Sequence, residues 1–205
     1  MIVIVDYGMG NVRSLSNAFI WLGHDTKISR DPADFAAAAR IVLPGVGAFG
    51  DAMAMLRSLD LERPLNDQVR GQRKPVLGIC LGMQLMAKTS QEHGLHTGLG
   101  WFDADVKPMV STPEAKVPHV GWNRLHVRRE EWLFKGLPPG GNDVYFVHSF
   151  MMVCNEPDDV IATSDHAQTV TAAVAHGNVV ATQFHPEKSQ DNGLQILQNW
   201  MSRAF

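Results

Sequence analysis

The N-terminal half of the chain alternates short, wholly apolar runs with longer amphipathic ones. The opening run of "MIVIVDYG" has no polar alternation before Asp6, which predicts a strand buried on both faces. "NVRSLSNAFIWLG" follows with apolar residues at helical spacing, and Gly23 stops it. "DTKIS" predicts a second short strand. "RIVLPG" predicts a third, closed by Pro44 and Gly45, and "AFGDAMAMLRSL" an amphipathic helix after it. "KPVLGIC" predicts a fourth strand and "GMQLMAKTS" a helix behind it. Strands alternating with helices in this way predict a largely parallel central sheet flanked by helices on both faces.

The pattern then loosens. Residues 98–141 are richer in Pro and Gly and predict short strands and loops. "VYFVHSFMMV" and "NVVATQFHP" predict strands, and "NGLQILQNWMSRAF" a closing helix. No repeat, low-complexity segment or linker interrupts the chain, so we expect one α/β domain over residues 1–205.

Composition limits the function classes. With 45% hydrophobic residues the chain can build a real core, and its net charge of −3 offers no footprint for nucleic acid or anionic lipid. Arg128 and Arg129 form the densest basic group and read as a solvated face. The two cysteines, Cys80 and Cys154, have neither metal spacing nor a disulfide framework. No apolar run approaches the roughly 20 residues that span a bilayer. The opening segment lacks a basic n-region and a small-residue cleavage site, so we expect a cytoplasmic chain with reduced thiols.

"LGICLGMQLM" carries the chemistry. A buried strand running into Gly78-Ile79-Cys80-Leu81-Gly82 and then a helix has the layout of a nucleophile elbow, with cysteine as the nucleophile. Gly78 and Gly82 let strand and helix approach each other. The helix N-terminus after Cys80 favours a thiolate and leaves the Leu81 N–H free to meet an oxyanion. A thiolate also needs a base and an orienting group. Most of the nine histidines sit beside turn or polar residues: His24, His126, His166 and His176 read as surface, and His93 and His96 as a solvated loop. His185 differs, because it ends the strand of "VVATQFHPEKS" with Glu187 two residues on. In extended chain the two side chains project to one side, so the carboxylate can hold the imidazole while its other nitrogen faces the thiol.

"PGVGAFG" contains the G-x-G-x-x-G of a dinucleotide fingerprint. It follows the third strand rather than the first, Pro44 leads directly into it, and Asp67 and its neighbours fall in a helix where a ribose-binding acid should end a strand. We expect its glycines instead to bring backbone close to a reacting carbonyl.

"DYGMGN", "PGVGAFGDAM", "LGICLGMQLM", "KVPHVGWN", "YFVHSF" and "QFHPEKS" occur in this order along essentially the whole chain. Together they resemble the triad-type class I glutamine amidotransferases, and among them the glutaminase subunits of imidazole glycerol phosphate synthase. The resemblance implies Cys80 as nucleophile, His185 as base and Glu187 as orienting acid. It implies an oxyanion donor from Gly45-Val46-Gly47 beside the Leu81 N–H. Gln84 and the segment His148-Ser149-Phe150 would hold the amino-acid end of glutamine. Phe150 stands where many relatives have Tyr, and Val120 where Met is common. No metal or organic cofactor is implied. The implied partner is a (βα)8-barrel cyclase subunit that uses the released ammonia to make imidazole glycerol phosphate and AICAR in histidine biosynthesis. Asn11, Pro118, Val120 and Trp122 would face it. Three readings stay open beside this: a paralogous glutaminase feeding another acceptor such as a sugar-amination enzyme, a stand-alone cysteine hydrolase of the same fold that needs no partner, and a non-catalytic scaffold for the barrel, against which the intact Cys80, His185 and Glu187 argue.

Overall fold

The computed structural model describes residues 1–129, 131–138 and 140–205. In chain order the N-terminal half contains β1 (Ile2–Val5), α1 (Val12–Trp21), β2 (Thr26–Ser29), α2 (Pro32–Ala37), β3 (Arg40–Leu43), α3 (Phe49–Ser58) and α4 (Glu62–Asn66). β4 (Val76–Ile79), α5 (Leu81–Leu85), β5 (Thr89–Ser90), β6 (His96–Thr97) and β7 (Ala104–Pro108) follow. Then come β8 (His119–Arg124), β9 (His126–Val127), α6 (Glu131–Phe134), β10 (Asp143–His148) and β11 (Phe150–Cys154). β12 (Val160–Asp165), β13 (Thr169–His176), β14 (Val179–Thr182) and α7 (Gln190–Ser202) complete the chain. Residues 130 and 139, inside the expected loop-rich stretch, lie outside the described residues.

The central sheet has the order β2-β1-β3-β4-β14-β13-β12-β9. Its first five strands are parallel. β13, β12 and β9 extend it antiparallel, so the sheet is mixed, with the expected parallel part confined to one half. Side chains on β1 alternate between two cores. Val3 and Val5 pack with Ile41, Leu43 and Leu56 on one face. Ile2 and Ile4 pack with Leu15, Phe19, Ile196 and Trp200 on the other. Both faces are apolar, which is why the strand reads as an unbroken apolar run.

Two expected elements differ. "VYFVHSFMMV" is two strands parted at Ser149: β10 pairs with β8 in a ribbon, whereas β11 joins a second sheet of order β11-β7-β5-β6. The helix after Cys80 stops at Leu85 instead of running through "AKTS". Its terminal carbonyls are claimed from outside. Leu99 N–H donates to the Leu85 carbonyl, Trp101 and Phe102 to Met86, and Gly100 to Ala87. Those acceptors are then taken without a further helical turn, and the chain turns into β5. Among the described residues no helix is long and apolar enough to cross a membrane.

Candidate active site

Cys80 sits between β4 and α5 at φ +55°, ψ −112°, a strained backbone for a residue with a side chain. Its N–H donates to the Thr182 carbonyl at 2.8 Å, which ties the elbow to β14. The turn closes only because residue 82 has no side chain: a Cβ there would stand 1.9 Å from the Leu43 carbonyl oxygen. Strand-to-helix packing around Cys80 thus requires the glycine expected from sequence. Because α5 is a five-residue helix, its dipole is small. The electrostatics around the thiol rest on its neighbours.

The principal neighbour is His185. It lies beyond the end of β14 and opens a 3-10 turn, Pro186–Lys188. The extended geometry expected from sequence is therefore corrected: the tight turn, not a pleat, swings Glu187 back toward the imidazole. Nδ1 of His185 lies 2.8 Å from Oε1 of Glu187, and the two side chains are 3% and 1% exposed. Ser189 fixes the turn by donating to the His185 carbonyl, and His185 N–H donates to the Tyr145 carbonyl. His185 Nε2 is buried, and among the described residues no nitrogen or oxygen hydrogen-bonds to it, which leaves Cys80 as the group acting on that side of the ring. Burial disfavours its charge, but Cys80 and Glu187 together outweigh that and push its pKa up to about 9.

A cleft of about 420 Å³ opens onto this group. Cys80, His185, Val46, Gly47, Leu81, Gln84 and the segment 148–150 all line it. Pro118, assigned to the partner face from sequence, also lines the cleft. Gly45 is buried beneath the wall. The "PGVGAFG" segment runs from the end of β3 into the first turn of α3, and its Val46 and Gly47 line the cleft with Cys80. At its base the Tyr7 hydroxyl donates to the Pro44 carbonyl at 2.8 Å. Val46 N–H donates to the Met9 carbonyl at 3.2 Å, so in this conformation that amide is occupied. Gly47 carries φ +101°, a backbone region that favours glycine.

Four lining or supporting residues escape the sequence reading: Val147, Gln183, Glu92 and Lys188. Gln183 is wholly buried and its Nε2 points at the Cys80 Sγ, 3.8 Å away. A lone amide in the apolar run "VVATQF" was the available signal. Glu92 caps α3 by accepting from Phe49 N–H at 2.7 Å and also lines the cleft; as an isolated loop acid it carries no pattern. Lys188 also lines the cleft, with its ammonium 5.8 Å from the Tyr145 ring centroid. Gln84, expected to touch substrate, spends both amide hydrogens internally, on the Phe150 carbonyl and on Gln183 Oε1, each at 3.0 Å.

Outside the cleft, Asn11 caps α1 by accepting from Ser14 N–H. Val120 and Trp122 are 56% and 49% exposed on β8, so the tryptophan is not a core residue. Its ring meets Tyr145 edge-on at 6.1 Å.

A family model described as glutamine amidotransferase class-I matches residues 3–204. A Nitrobacter winogradskyi protein named imidazole glycerol phosphate synthase subunit HisH 2 is 44% identical over 205 residues, covering 98% of this chain and 97% of that one. A Syntrophotalea carbinolica protein named imidazole glycerol phosphate synthase subunit HisH is 45% identical, with 98% of each chain covered. The solved structure of PurLQS from Thermotoga maritima superposes with a TM-score of 0.73 at 18% identity, over 98% of this chain and 97% of that one. At that identity the likeness carries the fold alone. The chain belongs to the class-I glutamine amidotransferase family, on the branch of the HisH subunits of imidazole glycerol phosphate synthase.

Proposed function

We propose that this chain hydrolyses glutamine to glutamate and hands the ammonia to a cyclase subunit of imidazole glycerol phosphate synthase. The observation that carries the chemistry is the strained Cys80 facing a cleft beside a sealed His185–Glu187 pair. The Cys80 thiolate attacks the γ-carboxamide carbon, and the carbonyl electrons move to oxygen. His185, kept as an imidazolium by Glu187 and Cys80, gives its proton to the departing nitrogen, so ammonia leaves and a thioester remains. His185 then takes a proton from water, the water oxygen attacks the thioester, and the thiolate is released with glutamate.

The oxyanion needs two donors. Leu81 N–H opens α5 and has no intrahelical acceptor. The second is Val46 N–H, which must first leave the Met9 carbonyl by a peptide flip that Gly47 permits. Glutamine enters as a zwitterion, and Glu92 is placed to meet its ammonium, with the 148–150 segment against its carboxylate.

Ammonia released into water at neutral pH would be protonated and lost. A partner that covers the cleft prevents this. Val46, Val120, Trp122 and Val147 are all exposed, Val120 pairs with Val147 across the β8–β10 ribbon, and Val46 and Val147 line the cleft. Large apolar groups exposed together in this way mark an interaction surface. The partner we assign there is the (βα)8-barrel cyclase, which joins the ammonia to a phosphorylated ribulosyl nucleotide. Co-purification with the candidate cyclase, followed by glutamine-dependent turnover of that nucleotide, tests the assignment. An inactive mixture whose glutaminase instead serves a sugar-amination enzyme would replace it.

A further inference from the structure

A hydrogen-bond chain leads from the exposed β8–β10 ribbon into the cleft, and its polarity can be assigned donor by donor. Asn123 Nδ2 donates one hydrogen to the Asp165 carbonyl at 2.8 Å, while its Oδ1 accepts from Arg124 N–H at 2.8 Å. The remaining hydrogen of Nδ2 faces His119 Nε2 at 3.1 Å, so that ring nitrogen must be bare. His119 Nδ1 lies 3.0 Å from His148 Nε2. His148 Nδ1 in turn lies 2.9 Å from the Phe150 carbonyl, which can only accept. Read from either end the answer is the same: both imidazoles are neutral, both carry the proton on Nδ1, and each donates toward the cleft. A proton added to either ring would place two donors face to face.

The chain continues beyond the cleft wall. Gln84 Nε2 donates to the same Phe150 carbonyl and to Gln183 Oε1, and Gln183 Nε2 points at the Cys80 sulfur. His119 is held in place by stacking on Phe146 and His166, at ring-centroid distances of 4.6 and 4.1 Å. Burial, then the neighbouring histidines, lowers its pKa to about 3; burial, partly offset by the Phe150 bond, lowers that of His148 to about 4.

We propose that His119 is a positioning residue: by holding His148 as the neutral Nδ1–H tautomer it fixes the Phe150 carbonyl, and so ties the exposed Val120 and Trp122 edge to the wall that holds the amino-acid end of glutamine. This rests on the glutaminase reading above, because only that reading puts substrate on residues 148–150. Neither histidine needs to touch the reacting atoms. A relay of this kind transmits displacement of the ribbon because each of its bonds has one allowed polarity and its central His119–His148 bond is buried.

Long-range 1H–15N spectra of the full-length chain read the tautomers directly. Both rings are expected as neutral Nδ1–H forms, the less common tautomer of imidazole, set here by the bond at the other nitrogen. An Nε2–H form or an imidazolium at neutral pH, in a chain that turns over glutamine with its partner, overturns the relay. In the assembled enzyme His119→Leu removes the donor and is expected to raise KM for glutamine on the order of tenfold with kcat within about twofold. His119→Asn restores an N–H near the Nδ1 position and should recover most of the loss. Unchanged KM in a folded His119→Leu enzyme, or no difference between Leu and Asn, contradicts the proposal. Absence of Cys80-dependent glutamine turnover in the unaltered complex would overturn the glutaminase reading and the role with it.

Discussion

Nδ1 of His185 and Oε1 of Glu187 stand 2.8 Å apart in a pair almost wholly sealed from solvent, while among the described residues no nitrogen or oxygen hydrogen-bonds to the second imidazole nitrogen. In the proposed mechanism one nitrogen serves orientation and the other proton transfer. His185→Asn should therefore be nearly as damaging as loss of the thiol. Glu187→Gln should be milder, since an amide can still contact the ring although it no longer stabilises the imidazolium. Steady-state glutamate release by the assembled enzyme checks the order; a Glu187→Gln variant slower than His185→Asn would reverse the two roles.

The same pair makes stability depend on pH. An unfolded histidine titrates near 6.5, whereas His185 in the folded chain titrates at about 9. Because the folded state binds this proton more tightly, the stabilisation is complete below pH 6.5. It declines as pH rises through about 9 and is absent above. Thermal unfolding across this window should show Tm falling more in the unaltered chain than in His185→Asn. The scale is ~2–4 °C for each kcal/mol at this chain length. Parallel curves for the two proteins would contradict the raised pKa.

Val46 N–H is bound to the Met9 carbonyl, so the lone subunit should be a slow glutaminase that speeds up with partner and acceptor analogue. A β-branched residue at Gly47 opposes φ +101° and sets its Cβ 2.9 Å from Met9 Cε. Its cost should be on the order of 10²-fold in rate, the scale of one lost oxyanion donor. NAD should leave Tm unchanged. A lone subunit already at full speed, or a saturable shift with NAD, would contradict this account of the glycine-rich segment.

Cys80 was legible in the sequence because a strained elbow needs glycines at fixed offsets, and the Gly82–Leu43 contact shows the need directly. His185 and Glu187 were legible as a pair, but not their turn: the pleated geometry inferred from i and i+2 gives way to a 3-10 turn. The early end of α5 was hidden, since its last carbonyls are taken by residues 99–102, a pairing no local period encodes. His119 offered no signal of its own. Its bond to His148 follows from the β8–β10 register, in which the two residues are opposed. Glu92 reaches the cleft from a loop, where composition carries no geometry.

The central claim is that Cys80 generates ammonia for a synthase on another subunit. The most direct measurement is product formation by the Cys80→Ala chain assembled with its cyclase, supplied first with glutamine and then with an ammonium salt at a pH where free ammonia is present. The account predicts no product and no glutamate from glutamine, with synthesis restored by ammonium and the complex intact. Substantial glutamine hydrolysis by the Ala variant would contradict it.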